Sequence, residues 1–346
     1  MALCLLIAVL LLILAAEFVN GRNDACTAIA TVVSTRVLTP TQAVLMAVVL
    51  NMAGVLLLGT AVASTVGAGL VDTRVITLPT VAAAALTVFI WCTLANRYGV
   101  PVSTSHSLFG GLAGAGVAVG GFAVFTGTGW GWLRVLLGLF FSTVLGFVAA
   151  YVLILLIIRL FSRKSPHFVR SVFGRLQVLS SAFMAFTHGS NDGQKFMGVF
   201  ALALILSGQT WAGAHMVDKA LVIPLWVKIL CSVVIGIGTS IGGWRLIRTM
   251  GVKLVRLDPH HGFAAETGAA TMIGLASHFG VPLSTNHTIS TAIMGVGASR
   301  RFSAVRWGVV GEVVTAWLIT FPACVVIGWI AALLLGLLPT SWWPVH

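Results

Sequence analysis

Long apolar runs constrain the fold of this chain more than any other feature of its sequence. Residues 1–16, 135–158 and 309–338 form runs that approach or exceed the ~20 residues an α-helix needs to cross a bilayer. Charged residues make up only 8% of the chain, whereas soluble globular proteins carry about a quarter. The sequence therefore predicts an all-α, polytopic membrane protein with the lipid bilayer as a partner. The net charge of +12 does not, in such a chain, indicate a nucleic-acid-binding protein.

The distribution of positive charge predicts an orientation in the cell membrane. The 20 Lys and Arg residues cluster in short segments, which the positive-inside rule places in the cytoplasm. With Met1 assigned outside and about five crossings in each half, 14 of the 20 basic residues become cytoplasmic and both termini are external. We expect a first unit at 1–158, a basic cytoplasmic linker at 159–175 and a second unit at 176–346.

Two motifs occur twice in the same order, which indicates an internal repeat. Residues 20–24 (NGRND) return as 188–192 (HGSND), 168 residues later. Residues 99–107 (GVPVSTSHS) return as 280–288 (GVPLSTNHT), 181 residues later. Five predicted crossings separate each copy from its twin, so the copies have opposite orientations. This is the inverted-topology repeat of many secondary transporters, whose binding sites lie near the bilayer midplane.

The Asn-Asp motif places carboxylates at membrane depth, where they are costly unless they are paired or bind an ion. Gly21 and Gly189 precede the motif, and we expect them to loosen or break the helix there, where a break would free backbone carbonyls. Such carbonyls, with carboxylate and amide oxygens, would form an all-oxygen cage for a hard cation. The alternative, an Asp that only hydrogen-bonds an opposed helix, is weakened by the duplication. The predicted coupling-cation ligands are Asn23, Asp24, Asn191 and Asp192.

The Pro-x-Ser-Thr motif predicts an anion site. Pro101 and Pro282 end one element, and the Ser-Thr pairs that follow are good N-caps for a new helix. Free first-turn amides at the positive end of a helix bind anions. Two opposed half-helices would form a pocket for a tetrahedral oxyanion. The alternative is that each Ser-Thr pair simply caps its helix. The predicted anion ligands are Ser103, Thr104, Ser105, Ser284, Thr285 and Asn286.

Other intramembrane polar residues have more open roles. Glu17, Glu266 and Glu312 are candidates for ion coordination or proton acceptance, with Glu266 included in the predicted cation-coupling set. Arg22 and Lys195 flank the two Asp residues, where they either neutralise these carboxylates or attract the anion. No HExxH motif or Cys/His cluster is present, so we expect no structural metal site. The only pair that suggests an enzyme, Ser103 with His106, is duplicated, which favours binding over catalysis.

At these residues the chain resembles the inorganic phosphate transporters of the PiT type. The resemblance covers nearly the whole sequence and includes residues 242–245 (GGWR), 262–267 (GFAAET) and 300–307 (RRFSAVRW). It implies an all-helical inverted repeat that forms a homodimer and carries out secondary symport of inorganic phosphate with H⁺ or Na⁺, without another cofactor. In many bacterial members the substrate resembles a metal–phosphate complex moved with a proton, which slightly favours H⁺ here.

Three departures from the family pattern concern the choice of coupling ion. Arg22-Asn23 stands where many bacterial relatives have Phe-His, and Cys26-Thr27 replaces a small residue followed by Asn. Asn51 occupies a position where many members carry a membrane Glu. A sulfate permease on the same scaffold is the closest alternative function. Phosphate at neutral pH keeps a proton to donate to a carboxylate, whereas sulfate only accepts hydrogen bonds, so the nearby Asp and Glu residues favour phosphate.

The inverted repeat makes a topology prediction. Residues 96–100 should face the cytoplasm and residues 279–281 the outside, although their sequences match. In a cysteine-free background, single cysteines in these two segments should react with an impermeant thiol reagent from opposite sides of the membrane. Labelling from the same side would eliminate the inverted repeat.

Overall fold

The computed structural model describes residues 2–70, 76–125, 131–208, 212–217 and 220–337. Met1 and residues 338–346 lie outside this part of the chain. The predicted external location of both termini therefore concerns residues outside the described part. The described residues form twelve α-helices: α1 (Ala2–Ser34), α2 (Pro40–Leu57), α3 (Ala61–Ala68), α4 (Leu78–Tyr98), α5 (Thr104–Gly120), α6 (Gly131–Phe161), α7 (Pro166–Leu206), α8 (Leu225–Ile241), α9 (Trp244–Arg248), α10 (Pro259–His278), α11 (Thr285–Ala298) and α12 (Trp307–Gly336). Two strands, β1 (His215–Val217) and β2 (Ala220–Val222), pair antiparallel.

The helices agree with a multi-pass membrane protein. Six described helices are long and apolar enough to cross a bilayer, and a bent pair formed by α8 and residues 244–253 raises that number to seven. The two parts of the bent pair meet at 64°. The all-helical class is therefore confirmed, with the small β1–β2 hairpin as an addition that the apolar pattern did not predict. The arrangement of about five crossings per half stays a prediction.

The predicted helix breaks at Gly21 and Gly189 are wrong. Helices α1 and α7 run without interruption through both Asn-Asp motifs. A Cβ at Gly21 would collide with the backbone oxygen of Ile235 in α8, and one at Gly189 with the backbone of Asn51 in α2. These glycines therefore permit close helix packing, and the unbroken helix keeps its backbone groups paired at membrane depth.

The breaks that shape the fold lie instead between α4 and α5 and between α10 and α11. Gly99 and Gly280 adopt φ angles of 69° and 68°, a left-handed conformation that favours glycine. The N–H of Val100 donates to Ala95 O over 3.0 Å and that of Val281 to Ala276 O over 2.8 Å, which closes a matched C-terminal turn in both copies. In both copies four further residues follow the glycine before the chain becomes helical again, at Thr104 and at Thr285.

Polar residues in the middle of α1 and α7 separate two buried apolar clusters. One cluster includes α1 residues from 6 to 19 and α7 residues from 196 to 204. The other includes α1 residues from 26 to 32 and α7 residues 173, 184 and 185. Both helices thus carry a buried polar layer, 20–24 on α1 and 187–195 on α7, with apolar packing on either side. This layer is where the new helices α5 and α11 begin.

The contact between α7 and α2 predicts a difference between two glycines of α7. Gly189→Ala should destabilise the protein by about 1–3 kcal/mol, because the new methyl group overlaps the Asn51 backbone. Gly174→Ala is the matched control, since a Cβ there meets nothing within 4 Å. Thermal unfolding of both variants in detergent checks this. Equal melting temperatures would contradict the close packing at Gly189.

Candidate functional site

Two buried carboxylates form the centre of the polar layer. Asp24 on α1 and Asp192 on α7 are 1% and 2% exposed. Asp24, Asp192 and His188 each place one potential ligand atom within 4.8 Å of the others. We call Asp24 and Asp192 the carboxylate pair. The structure thus brings together the two Asp residues that the sequence predicted as cation ligands.

The N-termini of α5 and α11 meet beside the carboxylate pair. Ser103 and Ser284 are the N-caps, and each hydroxyl accepts a hydrogen bond from the backbone N–H three residues later. The Ser284 hydroxyl lies 2.8 Å from the Ser103 hydroxyl, to which it donates. First-turn N–H groups of both helices, which lack intrahelical acceptors, therefore converge on one place. The two helix starts therefore meet, and their approach from opposite leaflets stays a prediction.

Thr104 and Thr285 connect the helix starts to the carboxylate pair. The Thr104 hydroxyl donates to Asp24 Oδ2 over 3.0 Å, and the Thr285 hydroxyl donates to Asp192 Oδ2 over 2.8 Å. Each copy of the Ser-Thr motif thus binds the Asp of its own half of the sequence. In this structure both threonines contact the carboxylates, and Ser103 and Ser284 provide the hydroxyls that face one another.

The two halves differ at the next position. Asn286 Nδ2 donates to Asp24 Oδ1 over 2.6 Å and to Val102 O over 2.9 Å. On the other side, Lys195 Nζ donates to Asp192 Oδ1 over 2.5 Å and to Ser105 Oγ over 2.6 Å. A neutral amide therefore contacts one carboxylate and an ammonium group the other.

Asn23 and Asn191 tie the long helices to their neighbours. Asn23 Nδ2 donates to Cys92 O over 2.8 Å, and its Oδ1 accepts from Asn96 Nδ2 over 2.6 Å. In the second copy, Asn191 Nδ2 donates to Ser277 Oγ over 2.9 Å. Both amides are thus engaged with α4 or α10, the helices that precede the glycine turns. Their predicted role as cation ligands stays a prediction.

Glu266 lies in a separate polar cluster. It accepts hydrogen bonds from Thr31, Ser180 and Gln177. Thr31 follows Asp24 by two helical turns, about 10 Å along α1. Glu17 lies two turns from Asp24 in the opposite direction and is fully buried. Along the axis of α1, Glu266 and Glu17 therefore lie on opposite sides of the carboxylate pair, each about two helical turns from Asp24, rather than next to it.

His188 is a site residue that the sequence motifs did not predict. Its Nδ1 lies 3.0 Å from Asn51 Oδ1, and its Nε2 lies 3.2 Å from Asp192 Oδ2. The i, i+4 spacing of His188 and Asp192 on α7 was the available signal, because such residues lie on the same helix face. The partnership with Asn51 on α2 was not visible in the sequence.

His106 and His287 lie in the first turns of α5 and α11, three residues after the N-caps Ser103 and Ser284. Their ring centroids are 4.6 Å apart, and His287 also contacts the Trp317 ring at 3.9 Å. The two histidines therefore pack α5 and α11 against one another close to the Ser103–Ser284 contact.

The geometry supports binding of two oppositely charged ligands. A carboxylate pair with nearby hydroxyl and carbonyl oxygens suits a cation, and two convergent helix N-termini suit an anion. A sequence profile described as "Phosphate transporter family" matches residues 20–328. The chain belongs to the phosphate transporter family.

Similar proteins span nearly the whole of this phosphate transporter family member. A Rhizobium meliloti protein named "Probable low-affinity inorganic phosphate transporter" is 42% identical over 324 residues, which cover 93% of this chain and 94% of the relative. A Bacillus subtilis protein of the same name is 36% identical and covers 97% of this chain and 98% of the relative. The solved structure titled "The sodium-dependent phosphate transporter" superposes with a TM-score of 0.87 at 26% identity and covers 97% of this chain and 100% of that one.

Family membership confirms two predictions made from the motifs. The resemblance to phosphate transporters is correct, and the protein is a multi-pass membrane transporter rather than an enzyme. The roles of the individual site residues stay predictions.

Proposed function

We propose that this protein imports inorganic phosphate across the cell membrane by secondary symport. Phosphate would bind between the N-termini of α5 and α11, and the coupling cation would bind at the carboxylate pair. The observation that carries the proposal is the Ser103–Ser284 contact of 2.8 Å immediately beside Asp24 and Asp192. The two relatives described above, each named "Probable low-affinity inorganic phosphate transporter", support the choice of substrate.

Phosphate would bind between Ser103 and Ser284, and the hydrogen bond between the two hydroxyls would break. Each serine hydroxyl would then donate to a phosphate oxygen, together with first-turn amides at the positive ends of two helices. A phosphate that keeps a proton can donate it to Asp24 or Asp192, whereas sulfate offers acceptors only. The adjacent carboxylates therefore favour phosphate over the alternative substrate, sulfate.

Electrostatic repulsion would couple the two ligands. Two unit charges within 4.8 Å repel by at least about 3 kcal/mol at an effective dielectric constant of about 20. A phosphate anion would add further negative charge, so a cation at the carboxylate pair would strengthen phosphate binding. We propose H⁺ as this cation, with Na⁺ as the alternative, since one proton shared between close carboxylates would remove the repulsion. The cargo is phosphate or a neutral metal–phosphate complex.

The topology is part of the same proposal. Units 1–158 and 176–346 would be inverted repeats joined by the cytoplasmic linker 159–175, with external termini and a homodimeric assembly. The matched turns at Gly99 and Gly280, each leading to a helix start, support two equivalent units. Tyr98 and Phe279, which precede the two glycine turns, are 71% and 69% exposed at the protein surface, so a labelling cysteine at either position would not disturb the packing. Mass measurement of the purified protein in nanodiscs would test the dimer.

The anion site predicts a loss of phosphate affinity in two serine variants. Ser103→Ala and Ser284→Ala should each weaken phosphate binding by roughly 10- to 150-fold, because a hydrogen bond to a charged ligand contributes about 1.5–3 kcal/mol. The measurement is uptake of labelled phosphate into proteoliposomes under an imposed H⁺ or Na⁺ gradient, with sulfate as a competitor.

Ser165→Ala is the matched control for these variants. Ser165 is also an N-cap that accepts from the N–H three residues later, but it is exposed at the start of α7. This substitution removes a cap without touching the proposed site, so uptake should not change. Wild-type uptake by folded Ser103→Ala and Ser284→Ala proteins would contradict the anion site, and competition by sulfate as strong as by phosphate would favour the sulfate alternative.

The cation site predicts a loss of coupling in a separate variant. Asp24→Asn keeps the shape of the side chain but removes its charge, so gradient-driven accumulation of phosphate should be abolished. Exchange of labelled phosphate across the membrane without a gradient serves as the control for an intact anion site. Accumulation at the wild-type level in Asp24→Asn would exclude Asp24 from coupling.

A further inference from the structure

Lys195 occupies a position that resembles the binding site of a metal cation. Its Nζ donates to three oxygens: Asp192 Oδ1 at 2.5 Å, Ser105 Oγ at 2.6 Å and Leu283 O at 2.6 Å. Carboxylate, hydroxyl and carbonyl oxygens are also the ligands of hard cations in proteins. The side chain is only 2% exposed, so this ammonium group is enclosed by the protein.

The three contacts leave Lys195 without a free donor for an anion. An ammonium group has three N–H donors, and each has an oxygen acceptor here. Direct binding of phosphate would require breaking one of these contacts. The geometry therefore favours Lys195 as a partner of the carboxylate pair over Lys195 as a phosphate ligand.

The first half has no equivalent ammonium group. Thr27 stands three residues after Asp24, where Lys195 stands three residues after Asp192. Asp24 Oδ1 and Val102 O, which correspond in the repeat to Asp192 Oδ1 and Leu283 O, both face the neutral Asn286 amide. Among the described residues, no basic side chain forms an ion pair with Asp24. Arg22 lies two residues before Asp24 on α1. At about 100° per residue the two side chains are about 200° apart around the helix and lie on different faces.

His188 marks the position that a mobile cation would take. Asn51 Nδ2 donates a hydrogen bond to Thr239 Oγ1, so Asn51 Oδ1 faces His188 Nδ1 and can accept a hydrogen bond from it. A neutral His188 that donates through Nδ1 carries a lone pair on Nε2, and this Nε2 atom lies 3.2 Å from Asp192 Oδ2. Two acceptors at this distance repel unless a proton or a cation lies between them. Asp24 is within 4.8 Å of both residues, so the same position also contacts the first carboxylate.

We infer that Lys195 is a tethered cation that permanently fills one of two cation positions at the carboxylate pair. One exchangeable monovalent cation, bound by Asp24, Asp192 and His188 Nε2, then completes neutralisation, because two carboxylates and one ammonium group leave one negative charge. Lys195 thus sets the number of transported cations to one. The inference rests on the proposed symport function and specifies its stoichiometry.

Charge-matched variants of this pair provide the test. Lys195→Met removes the ammonium group, so the carboxylate pair carries two uncompensated negative charges instead of one. About one additional cation per protein should then bind and be transported. Asp192→Asn/Lys195→Met removes both charges and should return the count to that of the wild type. Asp192→Asn alone leaves no net negative charge and should lose cation-driven uptake. Arg22→Gln, which changes the basic residue beside the other Asp, should leave the count unchanged.

Two measurements determine the count. In proteoliposomes held at zero membrane potential, a tenfold gradient of the driving cation should sustain about a tenfold phosphate gradient in the wild type and about a 100-fold gradient in Lys195→Met. In detergent, labelled Na⁺ binding together with proton uptake in weakly buffered solution gives the difference in bound cations between each variant and the wild type. This second measurement does not require phosphate.

The outcomes separate this inference from the proposed function. Wild-type protein that binds the cation but takes up no phosphate would refute phosphate import, while one extra bound cation in Lys195→Met would still support the tethered cation. An unchanged cation count in folded Lys195→Met would overturn the inference, most clearly if its phosphate affinity falls. If Lys195→Met does not fold, a folded double variant with a wild-type count supports the inference, and one with a different count overturns it.

Discussion

The buried carboxylate pair is the constraint on which the rest of this structure depends. Asp24 and Asp192 lie within 4.8 Å of a common neighbour and of one another, in a layer enclosed by apolar packing. Such an arrangement is unfavourable unless hydrogen bonds and positive charge compensate it. Thr104, Thr285 and Asn286 supply the hydrogen bonds, and Lys195 supplies a charge. The positive ends of α5 and α11 lie beside the pair and add to this compensation.

Continuous and interrupted helices have different roles in this arrangement. Helices α1 and α7 hold the carboxylates on unbroken backbones, and Asn23 and Asn191 fix them to α4 and α10. The turns at Gly99 and Gly280 interrupt the chain so that two helix starts reach the same depth. An anion bound at these starts would lie next to the carboxylates, so its affinity would depend on the cation that neutralises them. Coupling between the two ligands would follow from this proximity without a distant relay.

The sequence predicts the components of the site more reliably than the partners that those components contact. The duplicated motifs identified Asp24 and Asp192, and the Pro-x-Ser-Thr segments identified the helix starts at Ser103 and Ser284. The expected break at Gly21 and Gly189 was wrong, because glycine permits both chain bending and close helix packing, and the neighbouring α2 and α8 determine which occurs. Asn23 and Asn191 contact helices that are distant in sequence. The contrast between Lys195 and Asn286 depends on side chains converging from four helices, α1, α5, α7 and α11, which spacing along one helix does not reveal.

The dependence of phosphate affinity on the coupling cation tests the central claim most directly. Isothermal titration of the purified protein with phosphate, with and without Na⁺ and across a pH range corrected for the protonation of phosphate itself, measures this linkage at equilibrium. The electrostatic coupling at the carboxylate pair predicts that the cation lowers the phosphate Kd by at least about tenfold. A phosphate Kd that is the same at every Na⁺ concentration and pH would contradict it.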